Sequence, residues 1–338
     1  MAEIVLGIGT SHGPMLTTPA DKWDLRVPSD HASKHYFRGK VWSYDQLIDL
    51  RRAENLGAQA TEEMWRVRHD ACHRAINRLA DAFEAAKVDI AVIVGNDQME
   101  IFDESLLPAL SVFVGAEIVS TPYGAEKLEH MPPGIAIAMP GYTPDGGAVY
   151  PGAPALGQQI LRKAVAAGYD PVAIKSMPKG MTPHAFGYVY RQIMRDRPPP
   201  SVPVMLNTFY PPNQPSARRC FELGGVLVDA IQSWDTPARV ALVASGGLTH
   251  FVIDEELDNH FIDAIRARRV DWMADVGEEI YQEGTSELKN WIPVASAMAQ
   301  LGFEPDVVDY VPCYRTEAGT GNAMGFISWS KDEGAARA

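Results

Sequence analysis

The sequence predicts an α/β fold, on three observations. Short apolar runs such as Ile4-Val5-Leu6-Gly7-Ile8-Gly9, Asp89-Ile90-Ala91-Val92-Ile93-Val94 and Arg239-Val240-Ala241-Leu242-Val243-Ala244 read as buried strands. Longer stretches with apolar residues at helical spacing stand between them. No repeat, low-complexity tract, charge block or convincing linker breaks this alternation. Residues 1–330 therefore read as one domain with insertions, and 331–338 as a loose tail.

Composition narrows the class. The 338 residues are 46% hydrophobic and 22% charged, as in an ordinary soluble globular protein. A formal net charge of −13 argues against a nucleic-acid or anionic-membrane partner. Cys72, Cys220 and Cys313 are widely spaced, which suggests reduced thiols rather than a disulfide framework or a structural zinc site. No apolar run approaches the roughly 20 residues of a membrane span, and the N-terminus enters a strand-like run without a basic leader. A cytoplasmic protein is expected.

In chain order, the first strand ends in Thr10-Ser11-His12-Gly13-Pro14, a turn bounded by glycine and proline. Residues 17–61 are polar and aromatic-rich, carry His31, His35, Trp23, Trp42 and Tyr44, and have little strand character. They read as an insertion or lid over the sheet. Met64, Val67, Ala71, Ile76, Leu79 and Phe83 predict a helix over about 62–86. His69 and His73 lie one turn apart in it, but no Glu follows His69 as a zincin motif requires, so two solvent-exposed histidines are expected. The second strand ends in Gly95-Asn96-Asp97-Gln98-Met99-Glu100, and a third is expected at 110–114.

Residues 120–157, rich in Gly, Pro and Tyr, read as a surface excursion. A helix at 156–167 and a strand at 171–176 follow. Thr182-Pro183-His184 then opens a helix, with Thr182 as its cap. A strand at 202–206 and a helix at 216–233 precede Ser245-Gly246-Gly247-Leu248-Thr249-His250-Phe251. Two glycines directly after a buried strand permit a sharp turn, delivering His250 past the strand's carboxyl end, where open α/β sheets bind ligands. Helices at 258–269 and about 272–283 come next. In the helix from Thr285, Glu287 shares a face with Trp291, Ala295 and Met298. Two readings stay open: an inward carboxylate that is paired or metal-bound, or a Ser286 cap that leaves Glu287 solvated. Residues 324–329 read as a last strand.

The chemistry follows from where the polar groups fall. His12, the Asn96-Asp97-Gln98 turn and His250 stand just beyond buried strands, with His184 at a helix start and Glu287 on the apolar stripe. Histidine plus carboxylate with little cysteine suits iron(II), manganese or zinc with open positions. Leftover histidines suit proton transfer near neutral pH. The competing reading is a set of unrelated core and surface histidines. No nucleophile elbow, dinucleotide fingerprint or Walker A sequence occurs.

Five pieces come in a recognisable order: Gly9-Thr10-Ser11-His12, Gly95-Asn96-Asp97-Gln98, Pro183-His184-Ala185-Phe186-Gly187, Ser245-Gly246-Gly247-Leu248-Thr249-His250 and Ser286-Glu287-Leu288. Over about residues 3 to 329 the chain resembles the class III (LigB-type) extradiol ring-cleavage dioxygenases, which act on catechol acids of the protocatechuate, gallate and 3-O-methylgallate type. The resemblance implies a mixed sheet flanked by helices, an iron(II) cofactor, O2 and a small carboxylated catechol as reactants, and a homo-oligomer such as a dimer.

By position, His12 and Glu287 match metal ligands, His250 the acid/base residue and His184 a second pocket histidine. The family's second histidine ligand corresponds to Gln98. Three alternatives stand for that slot: ligation by Gln98 or nearby Glu100, replacement by His31 or His35, or a degenerate site. The first is preferred, because the surrounding turn and strand look intact. For the substrate carboxylate the expected partner is Arg315 with the turn carrying Thr320 and Asn322. A metal-dependent hydrolase and a non-catalytic family member that has lost its metal are the rival functions.

Overall fold

A computed structural model describes residues 1–331. Apart from Lys331, the expected loose tail lies outside the described residues. The first strands are β1 (Glu3–Thr10), the hairpin β2 (Lys34–Phe37) and β3 (Lys40–Ser43), then β4 (Ile90–Asn96) and β5 (Leu110–Phe113). A second hairpin pairs β6 (Glu117–Ser120) with β7 (Ala148–Pro151). The rest are β8 (Val172–Ile174), β9 (Ser201–Leu206), β10 (Arg239–Ser245), β11 (His250–Val252), β12 (Glu304–Tyr314) and β13 (Thr320–Ser330).

Nine of these strands form one mixed sheet in the order β11-β13-β1-β10-β4-β9-β5-β8, with β12 along the other edge of β13. Strands β1, β10, β4 and β9 run parallel, so their carboxyl ends share one rim. Strand β13 is antiparallel to β1, which brings its beginning, Thr320–Asn322, to that same rim.

Parallel strands are stable when both faces are covered, and the residues of β4 and β10 divide accordingly. Val92, Val94, Val240 and Leu242 pack with the helices Ala217–Gln232 and Leu288–Gln300. Ala91, Ile93, Ala241 and Val243 pack with the helix Glu62–Ala85 and the helical segment 184–193 on the other face. Each fully buried Val or Leu contributes about 1.5–3 kcal/mol. Gly9 lets one helix press close: a Cβ there would lie 2.1 Å from Cζ3 of Trp291. Trp291 is held in that seat by its Nε1–H, which donates to the Gly246 carbonyl at 2.8 Å.

Several expectations are corrected. The 17–61 segment contains a hairpin, β2–β3, despite its weak strand signal. Its Asp30 is clamped by Arg315 through Nε–Oδ2 (2.9 Å) and Nη2–Oδ1 (2.8 Å), a buried ion pair joining the segment to the end of β12. The 120–157 stretch supplies β7 and wall residues of a cavity, so it is more than a surface excursion. Thr182 does not cap the helix His184–Tyr188; its hydroxyl donates to the Val119 carbonyl at 2.9 Å. His69 and His73 are half-buried and their Nε2 atoms meet at 3.1 Å. The acidic stretch after Trp272 forms only the short helix Asp271–Asp275 and 3-10 turns. Strand β12 escaped notice because Pro305 and Pro312 interrupt its strand signal; both are tolerated because β12 pairs on one side only. Among the described residues, no helix is long and apolar enough to cross a membrane.

Candidate metal centre

The parallel register of β1 and β10 sets the first contact. Thr10 pairs with Ser245, and the chain then carries His12 over the rim so that its Nδ1 lies 2.9 Å from Ser245 Oγ. Ser245 commits its hydroxyl hydrogen to the Ala185 carbonyl at 2.6 Å, so its oxygen accepts from His12. Nδ1 of His12 therefore carries the proton, and Nε2 of the neutral ring is bare. Among the described residues that buried Nε2 has no hydrogen-bonding partner, and it lies 3.2 Å from Glu287 Oε2.

Glu287 closes a 3-10 turn, Glu283–Glu287, just before the helix Leu288–Gln300, and is 1% exposed. The inward reading of this carboxylate holds, and the solvated one falls. Its Oε2 accepts from Gly247 N–H at 2.6 Å. Its Oε1 accepts from the amides of Gln98 (2.6 Å) and Asn96 (3.2 Å). Burial alone would raise its pKa, but His12 and His250 outweigh that and hold it far below the usual carboxylate range. Burial lowers the His12 pKa, against the pull of Glu287.

Beyond β4, Asp97 organises the next loop by accepting from the backbone N–H groups of Glu100, Ile101 and Phe102. This presents Gln98 and Glu100 to the site. Glu100 accepts from His184 twice over, at the ring Nδ1 (2.7 Å) and at the backbone N–H (3.0 Å). Although burial would lower it, the Glu100 charge pushes the His184 pKa up to about 9. His250 opens β11 opposite Asn322, and its Nδ1 donates to the Leu248 carbonyl at 2.8 Å. Its Nε2 lies 3.8 Å from Glu287 Oε2.

Three imidazoles thus have Nδ1 bound to an acceptor, the arrangement that orients metal-ligating histidines. One candidate ligand atom from each of His12, His184 and Glu287 lies within 4.8 Å of the others. A bare buried nitrogen facing a carboxylate calls for a cation between them. Two nitrogens and one carboxylate oxygen suit a borderline divalent ion such as iron(II), so the residues fit a resident metal.

Of the predicted site residues, His12, Gln98, His184, His250, Glu287 and Asn322 line one cavity of about 290 Å³. Arg315 and Thr320 do not line it. Arg315 is 3% exposed and its guanidinium is taken up by Asp30 and by the Asn322 side-chain oxygen, while Thr320 donates to Asp30. The insertion histidines also stay out. His31 is exposed and stacked on Tyr44, and His35 is bound to the Asp30 carbonyl.

Sequence reasoning missed Arg26 and Tyr142. Arg26 lines the cavity, and its buried Nε has no hydrogen-bonding partner among the described residues. Burial and the nearby Arg315 lower its pKa to about 10. Tyr142 donates to the His12 carbonyl at 3.0 Å and packs edge-on against His184. Both lie in stretches without periodicity, where no local signal marks a wall residue.

Comparison with known proteins gives the family of the chain. Residues 60–321 match the family described as the catalytic LigB subunit of aromatic ring-opening dioxygenase. A 58-residue stretch is 41% identical to gallate dioxygenase of Pseudomonas putida KT2440, covering 15% of this chain and 17% of that enzyme. An uncharacterized protein from Escherichia coli K12 aligns over 96% of this chain and 99% of its own, with 13% identity and a TM-score of 0.42. Since the family match spans most of the chain, including the turns that carry Gln98, His184, His250 and Glu287, the protein belongs to the LigB family of aromatic ring-opening dioxygenases.

Proposed function

We propose that the protein is an extradiol dioxygenase that opens the ring of a small carboxylated catechol with O2, using iron(II) held by His12, Glu287 and a further ligand from the same cluster. The observation that carries this reading is the orphaned His12 Nε2 facing a buried, ionised Glu287 at the rim of a LigB-family sheet. Bound there, the metal would supply Lewis-acid charge toward the catechol oxygens and redox capacity toward O2.

The chain's own groups do the rest. His250, its Nδ1 tied to the Leu248 carbonyl, has Nε2 free to take a proton from a catechol hydroxyl and return it as the ring opens. Asn96, Gln98 and the Gly247 N–H hold both oxygens of Glu287 and fix the carboxylate's orientation. Met131, Ile135 and Met139 give the cavity an apolar wall of the kind an aromatic ring fills. Arg26, with its unpartnered Nε, is the group we assign to the substrate carboxylate. Arg26 belongs to the 17–61 segment, which we read as a lid that contributes to substrate recognition.

The test is anaerobic loading with iron(II), then O2 uptake with protocatechuate or gallate. Stoichiometric uptake with formation of a yellow ring-opened acid is the expected result. Iron-loaded protein that consumes no O2 with any catechol acid but hydrolyses an ester or amide would replace this reading with the hydrolase one.

A further inference from the structure

We propose that the second nitrogen ligand of the metal in this chain is His184, and that Gln98 serves to orient Glu287. This rests on the reading that a divalent ion sits between His12 and Glu287.

Gln98 is turned toward Glu287. One arm of its amide lies 2.6 Å from Glu287 Oε1. An amide oxygen there would face a carboxylate oxygen, so hydrogen-bond chemistry assigns NH2 to that arm. An amide nitrogen has its lone pair delocalised and is no ligand. The only donor left to Gln98 is a neutral oxygen, weaker than imidazole toward a borderline ion. Its amide instead joins Asn96 in holding Oε1 of Glu287, while the Gly247 N–H holds Oε2.

His184 has the opposite character. Glu100 binds both its Nδ1 and its backbone N–H, so one carboxylate sets the ring's tautomer and orientation. The nitrogen left over is Nε2. A carboxylate behind a histidine whose other nitrogen is unused is the arrangement that raises ligand basicity in metal sites. The His12 and His184 rings meet edge-on with centroids 4.6 Å apart, and one ring nitrogen of each lies with a Glu287 oxygen inside 4.8 Å. Two nitrogens bound to one ion at about 2.1 Å are at most about 4.2 Å apart, so a small contraction completes the set. The ligands then come from the end of β1, the start of the helix His184–Tyr188 and the start of the helix Leu288–Gln300.

The experiment compares wild type, His184→Ala, His184→Gln and Gln98→Ala, each checked for folding by circular dichroism and thermal melting. Cobalt(II) affinity is measured by calorimetry. Coordinated imidazoles are counted by pulsed electron paramagnetic resonance on the nitrosyl adduct of the iron(II) protein. Expected are two imidazole nitrogens in wild type and in Gln98→Ala, with cobalt binding weakened at most about tenfold in the latter. Both His184 variants should show one imidazole and bind cobalt at least 100-fold more weakly. One imidazole in wild type, or His184 variants that keep full affinity while Gln98→Ala loses it, would overturn the assignment and leave the metal centre standing. Folded wild type that takes up neither metal would defeat the metal centre itself, and the ligand assignment with it.

Discussion

Nε2 of His12 and Oε2 of Glu287 stand 3.2 Å apart, each side chain 2% exposed, although they come from opposite ends of the chain. Glu287 is held by the Gln98, Asn96 and Gly247 donors and His12 by Ser245, which leaves these two atoms facing each other where a cation can be held.

Replacing Glu287 by Gln should therefore do two things. It removes the anionic group we propose as a ligand, so cobalt(II) or iron(II) binding should fall at least 100-fold by calorimetry. It also turns an NH2 toward either the Asn96 and Gln98 amides or the Gly247 N–H, leaving donor against donor. The metal-free variant should lose about 1–3 kcal/mol in urea unfolding. Unchanged stability would show that the hydrogen bonds around Glu287 are not those of the metal-free protein. His12→Ala should likewise abolish metal uptake.

His250 Nε2 lies 3.8 Å from Glu287 Oε2, and its Nδ1 is already engaged by the Leu248 carbonyl. His250→Ala should keep metal affinity within about threefold, while kcat falls by about 10²–10⁴, the usual scale of lost general acid–base catalysis. A fully active variant would discard the proton-transfer assignment.

Arg26 and Arg315 separate recognition from architecture. Arg26→Met should raise KM for a carboxylated catechol about 10–100-fold, because a charged hydrogen bond contributes about 1.5–3 kcal/mol. KM for unsubstituted catechol should change little. Arg315→Met leaves Asp30 buried and unpaired, which costs about 3–5 kcal/mol and shows as a lower melting temperature. The preference for the acid should survive in it. If instead Arg315→Met erases that preference and Arg26→Met does not, the two roles must be exchanged.

Asp258 lies beneath the turn that carries His250, accepting from Thr249 N–H and Oγ1 and from the Tyr310 hydroxyl. Burial nevertheless pushes its pKa up to about 7 from an ordinary 3.8. Between those values the folded state holds more protons than the unfolded chain. Its contribution to stability should thus fall as pH rises from about 4 to about 7 and stay constant beyond. Asp258→Asn should flatten this slope in melting curves taken from pH 5 to 8. A wild type whose advantage over the variant grew with rising pH would contradict the sign.

Much of the fold was legible because strand and helix signals are local. The runs before His12, Asn96 and His250 are apolar on both faces, as strands in a doubly covered sheet must be. The helix Glu62–Ala85 was visible in its period. The proline-interrupted β12 and the β2–β3 hairpin were not, because their pairing partners rather than their own residues make them strands.

By itself, then, the sequence determined that several strands end in side chains of a kind that can ligate a metal, and the order of its turns carried a family resemblance. Which of those side chains meet was decided by the parallel order β1-β10-β4, which gathers three strand ends at one rim, and by the helix that turns Glu287 inward beneath them. The same tertiary packing drew Arg315 to Asp30 and brought Arg26 to the cavity wall, since a buried acid must find a cation and no local pattern says which one will be nearest.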